Sequence, residues 1–233
     1  MNQVPADLPG DVLARCKALP RKPAPVVLTG SRVVLRPLDL ERDIEPLHAV
    51  SSGAPFTLGD RHAAAYDPEP VIWRWMRGTT NRTASELHAY LAPQHANPDM
   101  RMLVVCDRPT ATPVGVACYM ANRPEDLKVE LGHIWYGPIA QRTGAAREAT
   151  HLMLGHAFGL GYRRIEWKCD ALNERSRRAA LSYGFTFEGV QQAHMIIKGR
   201  NRDTAWFRML DTEWPAIQAR LESPGNPGGA GGS

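Results

Sequence analysis

The sequence lacks several features that would assign a function quickly. It has no apolar run near the about 20 residues that a bilayer-spanning helix needs, so no membrane partner is predicted. Its four cysteines form no C-x-x-C pair, which argues against a zinc knuckle or a dithiol redox motif. Its basic residues form no long run with interleaved aromatics, so a nucleic-acid partner is not expected at a net charge of +4. Neither G-x-x-x-x-G-K-[ST] nor G-x-G-x-x-G occurs.

What is present describes an ordinary globular chain of 233 residues, 43% hydrophobic and 22% charged. The first residues include early acidic positions and no apolar signal core, and unpaired cysteines suit a reducing compartment, so a cytoplasmic location is expected. Composition divides the chain into a Pro-rich N-terminal arm (1–28), one folded domain (29–222) and a Gly/Pro-rich tail (223–233) that we expect to be disordered.

Hydrophobic periodicity predicts a mixed α/β (α+β) domain, because helices and strands alternate without a strict βαβ repeat. Asp43 is predicted to cap the first helix of the domain. Two runs split by RPTATP are typical of a hairpin. We therefore expect a partly antiparallel central sheet of about seven strands flanked by helices. The strands are predicted at 31–41, 100–108, 113–122, 128–137 and 163–170 and in two runs between 185 and 211; the helices near 10–18 and at 43–51, 70–78, 84–94, 145–161, 173–185 and the last ordered segment.

The stretch QRTGAAREA (141–149) follows a predicted strand and opens an apolar helix. The first backbone N–H groups of a helix have no partner within the helix. Gly144 allows a ligand to approach the backbone closely, the two alanines after it add little bulk, and Arg142 and Arg147 add positive charge. This pattern suits an anion such as a pyrophosphate. A plain strand-to-helix turn would give the same letters, so this stretch alone leaves both interpretations open.

Three segments together resemble a known superfamily. Q-R-T-G-A-A resembles the Q/R-x-x-G-x-G/A signature of the GNAT acyl-CoA N-acyltransferases, and VELGHIWYGPIAQRTGAAREA resembles the strand–turn–helix motif of the branch that acetylates ribosomal-protein N-termini. NERSRRAALSYGFTFEG resembles the N-x-x-S…G-F…E-G block of that branch, and LTGSRVVLRPLDLERD resembles its first strand. The resemblance covers roughly residues 26–212.

The resemblance implies a sheet that splays at its central strands, with acyl-CoA in the opening and its pyrophosphate on the loop amides. It implies no metal and no covalent enzyme intermediate. The acceptor would be a small-molecule amine or a peptide N-terminus, and a homodimer is one open oligomeric state. The implied coenzyme A contacts are Ile134, Tyr136, Gln141, Arg142, Thr143, Gly144, Ala145, Ala146 and Asn173.

Two residues are candidates for catalysis. Glu130 lies on the strand before the loop and could accept the proton of the amine, or it could be a charge on the sheet surface. Ser176 lies one helical turn after Asn173, and therefore on the same face, where it could protonate the leaving thiolate. A simple hydroxyl at a helix start is the alternative for Ser176.

Other polar residues are assigned less directly. Strand alternation places His133 on the face opposite Glu130, which favours a partly buried structural histidine. Many enzymes of the superfamily carry a catalytic tyrosine seven residues after the helix-start asparagine. This chain has Ala180 there, and Tyr183 is out of phase with that position by roughly 300°, so tyrosine acid catalysis is not expected.

The remaining candidates have two interpretations each. Arg175, Arg177 and Arg178 could meet the 3′-phosphate of coenzyme A or form a solvated helix face. Trp73, Trp75 and Met76 form either a core stripe or an acceptor-side wall, and His194 and Met195 could line an acceptor pocket.

The sequence therefore predicts an N-acyltransferase that moves an acetyl or other short acyl group from acyl-CoA to a primary amine by direct attack in a ternary complex. A non-catalytic domain of the same fold, which binds coenzyme A as a sensor or scaffold, is the alternative. Acetyl is the default acyl group, but a roomier or cationic pocket could take succinyl.

Overall fold

A computed structural model describes residues 7–222 of the protein. The predicted disordered tail, 223–233, lies outside the described residues. Within the described part, the strands are β1 (Leu28–Thr29), β2 (Val33–Pro37), β3 (Phe56–Leu58), β4 (Arg61–Ala63), β5 (Arg101–Asp107), β6 (Pro113–Arg123), β7 (Lys128–Tyr136), β8 (Arg164–Asp170), β9 (Thr186–Ile197) and β10 (Arg200–Leu210).

The helices agree with the sequence pattern except in the region of 70–78. There, a single predicted helix is replaced by one short helical turn and a 3₁₀ turn (Trp73–Trp75), because Ile72 leaves helical geometry at a φ of −120°. The helices are α1 (Gly10–Ala18), α2 (Leu40–Ser51), α3 (Pro68–Val71), α4 (Ala84–Ala96), α5 (Ala145–Gly159), α6 (Glu174–Tyr183) and α7 (Trp214–Glu222).

The main sheet has eight strands in the order β1-β2-β5-β6-β7-β8-β10-β9, and β3 and β4 form a separate hairpin. The predicted fold class is confirmed: the sheet is mixed, mostly antiparallel and flanked by helices. It has one strand more than the about seven expected, because β1 is only two residues long and leaves no periodic signal. The β3–β4 hairpin lies in a stretch without a clear sequence pattern.

The only parallel pair within the described sheet joins β7 and β8, and this pairing stops early. Its register covers Lys128–Arg164, Val129–Ile165 and Glu130–Glu166. β7 continues to Tyr136 and β8 to Asp170, so the remaining parts of the two strands diverge. The predicted splay of the sheet is therefore present, and it opens at Glu130.

Hydrophobic residues cover both faces of the sheet and hold the opening in place. On one face, α5 buries Ala149, Met153 and Leu154 completely. On the other, Leu47 of α2 and Leu87 of α4 are fully buried in a second cluster. Strands covered on both faces read as continuous apolar runs rather than alternating ones. Burial of each such leucine or methionine side chain stabilises the folded state by about 1.5–3 kcal/mol. The two layers therefore hold the sheet from both sides.

The predicted cap of the first domain helix is wrong by one turn. Asp39, rather than Asp43, caps α2, because its side chain accepts hydrogen bonds from the backbone N–H groups of Glu41 and Arg42. Asp43 is completely buried and forms a bidentate ion pair with Arg36, with both N–O distances at 2.7 Å. The sequence offers two aspartates four residues apart as possible caps. Asp43 is not the cap because Arg36 of β2 binds its carboxylate.

The described part of the N-terminal arm lies against its own domain. The buried side chain of Asn122 donates to the carbonyls of Pro20 (3.0 Å) and Arg21 (2.7 Å). Arg101 Nε donates to the carbonyl of Pro23 at 2.7 Å. These contacts place the arm along the β6 side of the sheet, and it leads directly into β1.

Glu148, in the first turn of α5, anchors that helix to the sheet. Its carboxylate accepts hydrogen bonds from the backbone N–H groups of Ser31, Arg32 and Val33 and from the Ser31 hydroxyl, at 2.6–2.9 Å. A Cβ added at Gly30 would come within 2.5 Å of this carboxylate, so only glycine fits there. Burial alone would raise the pKa of Glu148, but these hydrogen bonds outweigh it and lower the pKa below its ordinary value.

Glu148→Gln is expected to destabilise the protein by about 1–3 kcal/mol, because a neutral amide cannot accept all four hydrogen bonds. Urea unfolding followed by circular dichroism measures the effect, and Glu45→Gln, at an exposed position of α2, is the matched control. A group with a lowered folded-state pKa stabilises above its ordinary pKa, and this contribution is lost as the pH falls through the folded value. The difference between wild type and variant should therefore shrink below pH 4.5; a constant difference would contradict the anchor.

Candidate active site

The loop between β7 and α5 is held by its own side chains. Gln141 Nε2 donates to the carbonyl of Tyr136 at 2.9 Å, and Thr143 Oγ1 donates to the carbonyl of Ala140 at 2.7 Å. Gly144 has a φ of +86°, a left-handed conformation that glycine adopts without strain, and it is the N-cap of α5. Gln141 and Thr143 therefore shape the loop rather than project away from it.

This loop presents backbone N–H groups without acceptors. In the described structure, the amides of Arg142, Thr143, Gly144 and Ala146 have no hydrogen-bond partner, whereas that of Ala145 points at Thr143 Oγ1, 3.3 Å away. A Cβ at Gly144 would lie 3.3 Å from Arg32 Nε, so a guanidinium packs beside the turn. Unpaired amides at the start of a 15-residue helix, beside a cation, form a site for an anion.

A cavity of about 730 Å³ extends from this loop through the opening between β7 and β8. It continues under the segment 71–77 and reaches α4 and the hairpin of β9 and β10. Of the residues predicted for the site, the cavity brings together Glu130, Ile134, Tyr136, Gln141, Ala146, Asn173 and Ser176. Arg142, Thr143, Gly144 and Ala145 belong to the loop at its end and do not line it.

A β-bulge in β7 changes the predicted position of His133. Cys118 pairs with Gly132 and Val116 with Trp135, so two residues of β7, His133 and Ile134, lie opposite one residue of β6. His133 adopts a φ of +51° in this bulge. The expected alternation is broken, and His133 lines the same cavity as Glu130 instead of the opposite face. Its Nε2 atom is buried without a partner, and burial lowers its pKa to about 4.

Glu130 is a buried carboxylate at the point where the strands part. It is 2% exposed, and Lys168 Nζ lies 2.8 Å from its Oε2 atom. Burial raises the pKa of Glu130, and the charge of Lys168 offsets only part of this. A carboxylate in such surroundings is a stronger base than one in water. The alternative of a charge on the sheet surface is wrong, because the side chain is inside the molecule.

Ser176 lies in the opening and already has one partner. Its Oγ accepts a hydrogen bond from Trp167 Nε1 at 3.0 Å, and its backbone N–H donates to the Oδ1 of Asn173 at 3.2 Å. Asn173 is thus the N-cap of α6. The Ser176 hydroxyl also forms a hydrogen bond with the thiol of Cys169. Burial raises the pKa of Cys169 above its ordinary value, and the contact with Ser176 offsets part of this rise. Ser176 and Cys169 both line the cavity.

Two tyrosines face each other across the opening. Tyr183, out of phase in the sequence pattern, lines the cavity at the end of α6, with its ring centroid 5.9 Å from that of Trp167. The hydroxyl of Tyr136 is buried without a partner. Burial raises the pKa of both phenols, so both remain protonated at neutral pH. The expectation that Tyr183 is out of phase is wrong, because roughly 300° is only about 60° short of a full turn, so Ala180 and Tyr183 lie near the same helix face.

The three arginines of α6 have partners within the chain. Arg175 Nη2 donates to the carbonyls of Pro70 (3.3 Å) and Val71 (3.2 Å), which ties α6 to the segment over the cavity. Arg177 donates to the carbonyl of Ala171 at 3.2 Å, and Arg178 lies 3.5 Å from Glu174.

The apolar candidates divide between core and cavity. Trp73 is fully buried and packs against Trp135, with a ring distance of 5.5 Å. Trp75 and Met76 line the cavity, as does Met195. His194 instead lies 2.9 Å from Thr204 Oγ1 and is not among the lining residues.

Sequence reasoning missed four cations near the site: Arg32 beside the loop, and Arg77, Lys168 and Arg202 in the cavity wall. Each comes from a different element. Only the parallel register of β7 with β8 brings Lys168 to Glu130, and only the β8–β10 pairing brings Arg202 near Asp170. No spacing within one segment could have signalled this.

Between residues 7 and 222, no helix is both long and apolar enough to span a membrane. Over the same range, no three His, Cys, Asp or Glu side chains are grouped so that they could hold a metal ion.

Comparison with known proteins gives a consistent result. The family model for the acetyltransferase (GNAT) domain matches residues 32–186. A GCN5-related N-acetyltransferase from Brucella melitensis is 36% identical, with a TM-score of 0.78, over 91% of this chain and 92% of that one. A probable acetyltransferase of the GNAT family from Chromobacterium violaceum is 34% identical, with a TM-score of 0.73, over 83% and 90% of the two chains. No curated protein matches the sequence.

A more distant structure shares the fold. The acetyl transferase from Salmonella typhimurium that modifies the N-terminal serine of ribosomal protein L7/L12 superimposes with a TM-score of 0.62 at 17% identity, over 79% of this chain and 99% of that one.

The ring of His133 is expected to stay neutral down to about pH 4, because burial lowers its pKa to about 4. In an NMR titration, the imidazole resonance that disappears in His133→Gln should shift near that pH. The ring should also reduce stability as the pH falls from about 6.5 toward the folded value, because the unfolded state then binds the proton more tightly. A midpoint above pH 6 would mean that the bulge exposes His133 to water.

Proposed function

The chain belongs to the GNAT acetyltransferase family, and we propose that it transfers an acetyl or another short acyl group from acyl-CoA to a primary amine by direct attack in a ternary complex. One observation carries the proposal. A single cavity reaches from Gln141 and Ala146, which flank the unpaired amides at the start of α5, to the buried carboxylate of Glu130 through the opening between β7 and β8.

The loop residues fit the diphosphate of coenzyme A. Four of its backbone amides have no acceptor in the described structure, and Arg32 and Arg142 add positive charge. Gly144 keeps this surface free of a side chain. We assign the diphosphate to this loop, with the backbone of 142–146 as the binding surface and Gln141 and Thr143 as residues that hold its shape.

The opening fits an extended, thioester-bearing arm. Beyond Glu130, the backbone of β7 no longer pairs with β8, so its N–H and C=O groups on that side need partners. An arm with amide groups can satisfy them as an added strand would. Ile134 and Tyr136 from β7, Ala146 from α5 and Asn173 from α6 line this passage. When bound there, acyl-CoA supplies the activated acyl group.

Glu130 is the general base in this proposal. It lines the cavity, and burial raises its pKa toward the pH at which the enzyme works. His133 is the competing base, but its pKa of about 4 makes it weak. Taking a proton from an α-amine with a pKa of about 8 would then be uphill by about four units, or about 5 kcal/mol.

The acceptor is proposed to be a small-molecule amine or a peptide N-terminus. At pH 7 an α-amine is neutral in about one molecule in ten, whereas a lysine side chain is neutral in about one in 2,500. A single buried carboxylate therefore suits an α-amine better than a lysine side chain, because the α-amine is more often neutral already. At the other end of the reaction, Ser176 is placed to donate its hydroxyl proton to the leaving thiolate, because its oxygen already accepts from Trp167.

Purified protein is expected to release free coenzyme A from acetyl-CoA in the presence of suitable amines. Glu130→Gln should lower kcat about 10²–10³-fold, because the base is lost while the shape is kept. Its affinity for coenzyme A should not change, and Glu125→Gln, at an exposed site, should match the wild type. Tight coenzyme A binding without turnover on any amine would refute the enzyme and favour a sensor or scaffold domain.

Gly144→Ala is expected to weaken coenzyme A binding about tenfold. The left-handed φ of +86° costs a side-chain-bearing residue about 1–3 kcal/mol, and the new Cβ would press on Arg32, so the loop amides must turn away. Titration calorimetry measures the affinity. Gly159→Ala is the matched control, because nothing lies within 4 Å of its added Cβ at the end of α5. Equal affinities for Gly144→Ala and wild type would remove the diphosphate from this loop.

A further inference from the structure

The half of the cavity beyond Glu130 carries more positive than negative charge. Its wall includes Arg77, which follows the 3₁₀ turn, Lys168 from β8 and Arg202 from β10. The carboxylates in the same wall are Glu130 and Asp170. With Arg175 of α6, which also lines the cavity, the wall has four cations against two carboxylates, a surplus of two positive charges. The same wall includes the apolar side chains of four methionines, Met76, Met100, Met120 and Met195.

Arg77 and Arg202 are the cations of this wall with the poorest acceptors, because Arg175 donates to the carbonyls of Pro70 and Val71. Lys168 is paired with Glu130 at 2.8 Å. By contrast, Arg77 Nη2 has only the sulfur of Met195 as a partner, at 3.3 Å, and a thioether is a weak acceptor. The Nε atom of Arg202 is buried and has no hydrogen-bond partner. Among the described residues, no carboxylate lies within 4.0 Å of either guanidinium.

These cations are close enough to influence one another. Burial lowers the pKa of Arg202, Asp170 and Cys169 oppose this, and Arg77 lowers the pKa further. The pKa of His194 is lowered first by burial and then by Lys168, Arg202 and Arg77. A half-buried guanidinium whose Nε atom has no partner is costly to keep, and Asp170 offsets only part of this cost. An anionic group between the two arginines would remove that cost.

Building on the acyl transfer proposed above, we propose that Arg77 and Arg202 form a subsite for one carboxylate carried by a substrate. Guanidinium groups bind carboxylates through two parallel hydrogen bonds, which gives orientation as well as affinity. One carboxylate adds a single negative charge beside Glu130 and Asp170, whereas a phosphate dianion would be repelled more strongly by these two carboxylates. The carboxylate belongs either to the acceptor amine or to the acyl chain of a dicarboxylic acyl-CoA.

Two pairs of matched substrates distinguish these sources. In the acceptor arm, acetyl-CoA is combined with α-amino acids and with their carboxamides. In the acyl arm, succinyl-CoA and acetyl-CoA are compared, both in turnover with an uncharged amine and in calorimetric binding. The wild type should prefer the carboxylate-bearing partner by at least tenfold in one arm.

Arg202→Gln should reduce that preference about tenfold or more, and Arg77→Gln should reduce it less because Arg77 is exposed. Arg202→Lys, which keeps the positive charge, should retain part of the preference that Arg202→Gln loses. Arg74→Gln removes an exposed charge from the same segment, outside the cavity, and should keep the full preference. Folding of each variant is checked by its thermal unfolding.

The proposal is overturned if the wild type shows no carboxylate preference in either arm, or if the preference survives in Arg202→Gln. Calorimetry keeps this separate from the proposed activity. Without turnover on any amine, the acyltransferase assignment fails, and tighter binding of succinyl-CoA than acetyl-CoA, lost in Arg202→Gln, would still establish the subsite. If there is no turnover, equal binding of succinyl-CoA and acetyl-CoA would reject the carboxylate subsite.

Discussion

The divergence of β7 from β8 after Glu130 is the constraint on which the site depends. Inside a sheet, backbone N–H and C=O groups normally pair with the neighbouring strand, and leaving them unpaired away from water is costly. Here, β7 and β8 pair in parallel over three residues and then diverge. Their antiparallel pairings with β6 and β10 continue past that point. The opening therefore lies in a rigid frame that binding does not have to build.

Two anchors keep this frame open. On one face, Glu148 ties the start of α5 to the turn before β2, so the helix that presents the loop amides cannot shift along the sheet. On the other face, Arg36 and Asp43 lock α2 to β2 without solvent access to the carboxylate. The bulge at His133 then bends β7 at the point where its side chains must face the cavity. β7 is thus irregular at His133 but is held in place by its pairing with β6 on both sides of the bulge.

Much of this arrangement could be predicted from local sequence, and the rest could not, for identifiable reasons. The hairpin of β5 and β6, the helix after Gly144 and the cap at Asn173 follow from patterns within one segment. The choice of Asp39 over Asp43 depended on Arg36, and the shared cavity of Glu130 and His133 depended on a bulge that no alternation pattern shows. Lys168 and Arg202 reach the site through strand pairings, which a linear sequence does not specify.

The electrostatics of the cavity link the two proposals. Burial raises the pKa of Glu130, and the charge of Lys168 at 2.8 Å opposes this rise, so Lys168 favours the ionised carboxylate that a base requires. That use of Lys168 leaves Arg77 and Arg202 without an ion-pair partner within 4.0 Å among the described residues. A substrate carboxylate bound there would orient the molecule by its charge, while Glu130 takes the proton from its amine. Since the amine must be neutral to react, a positive wall also disfavours the ammonium form near the site. The same surplus of charge can thus serve both recognition and deprotonation.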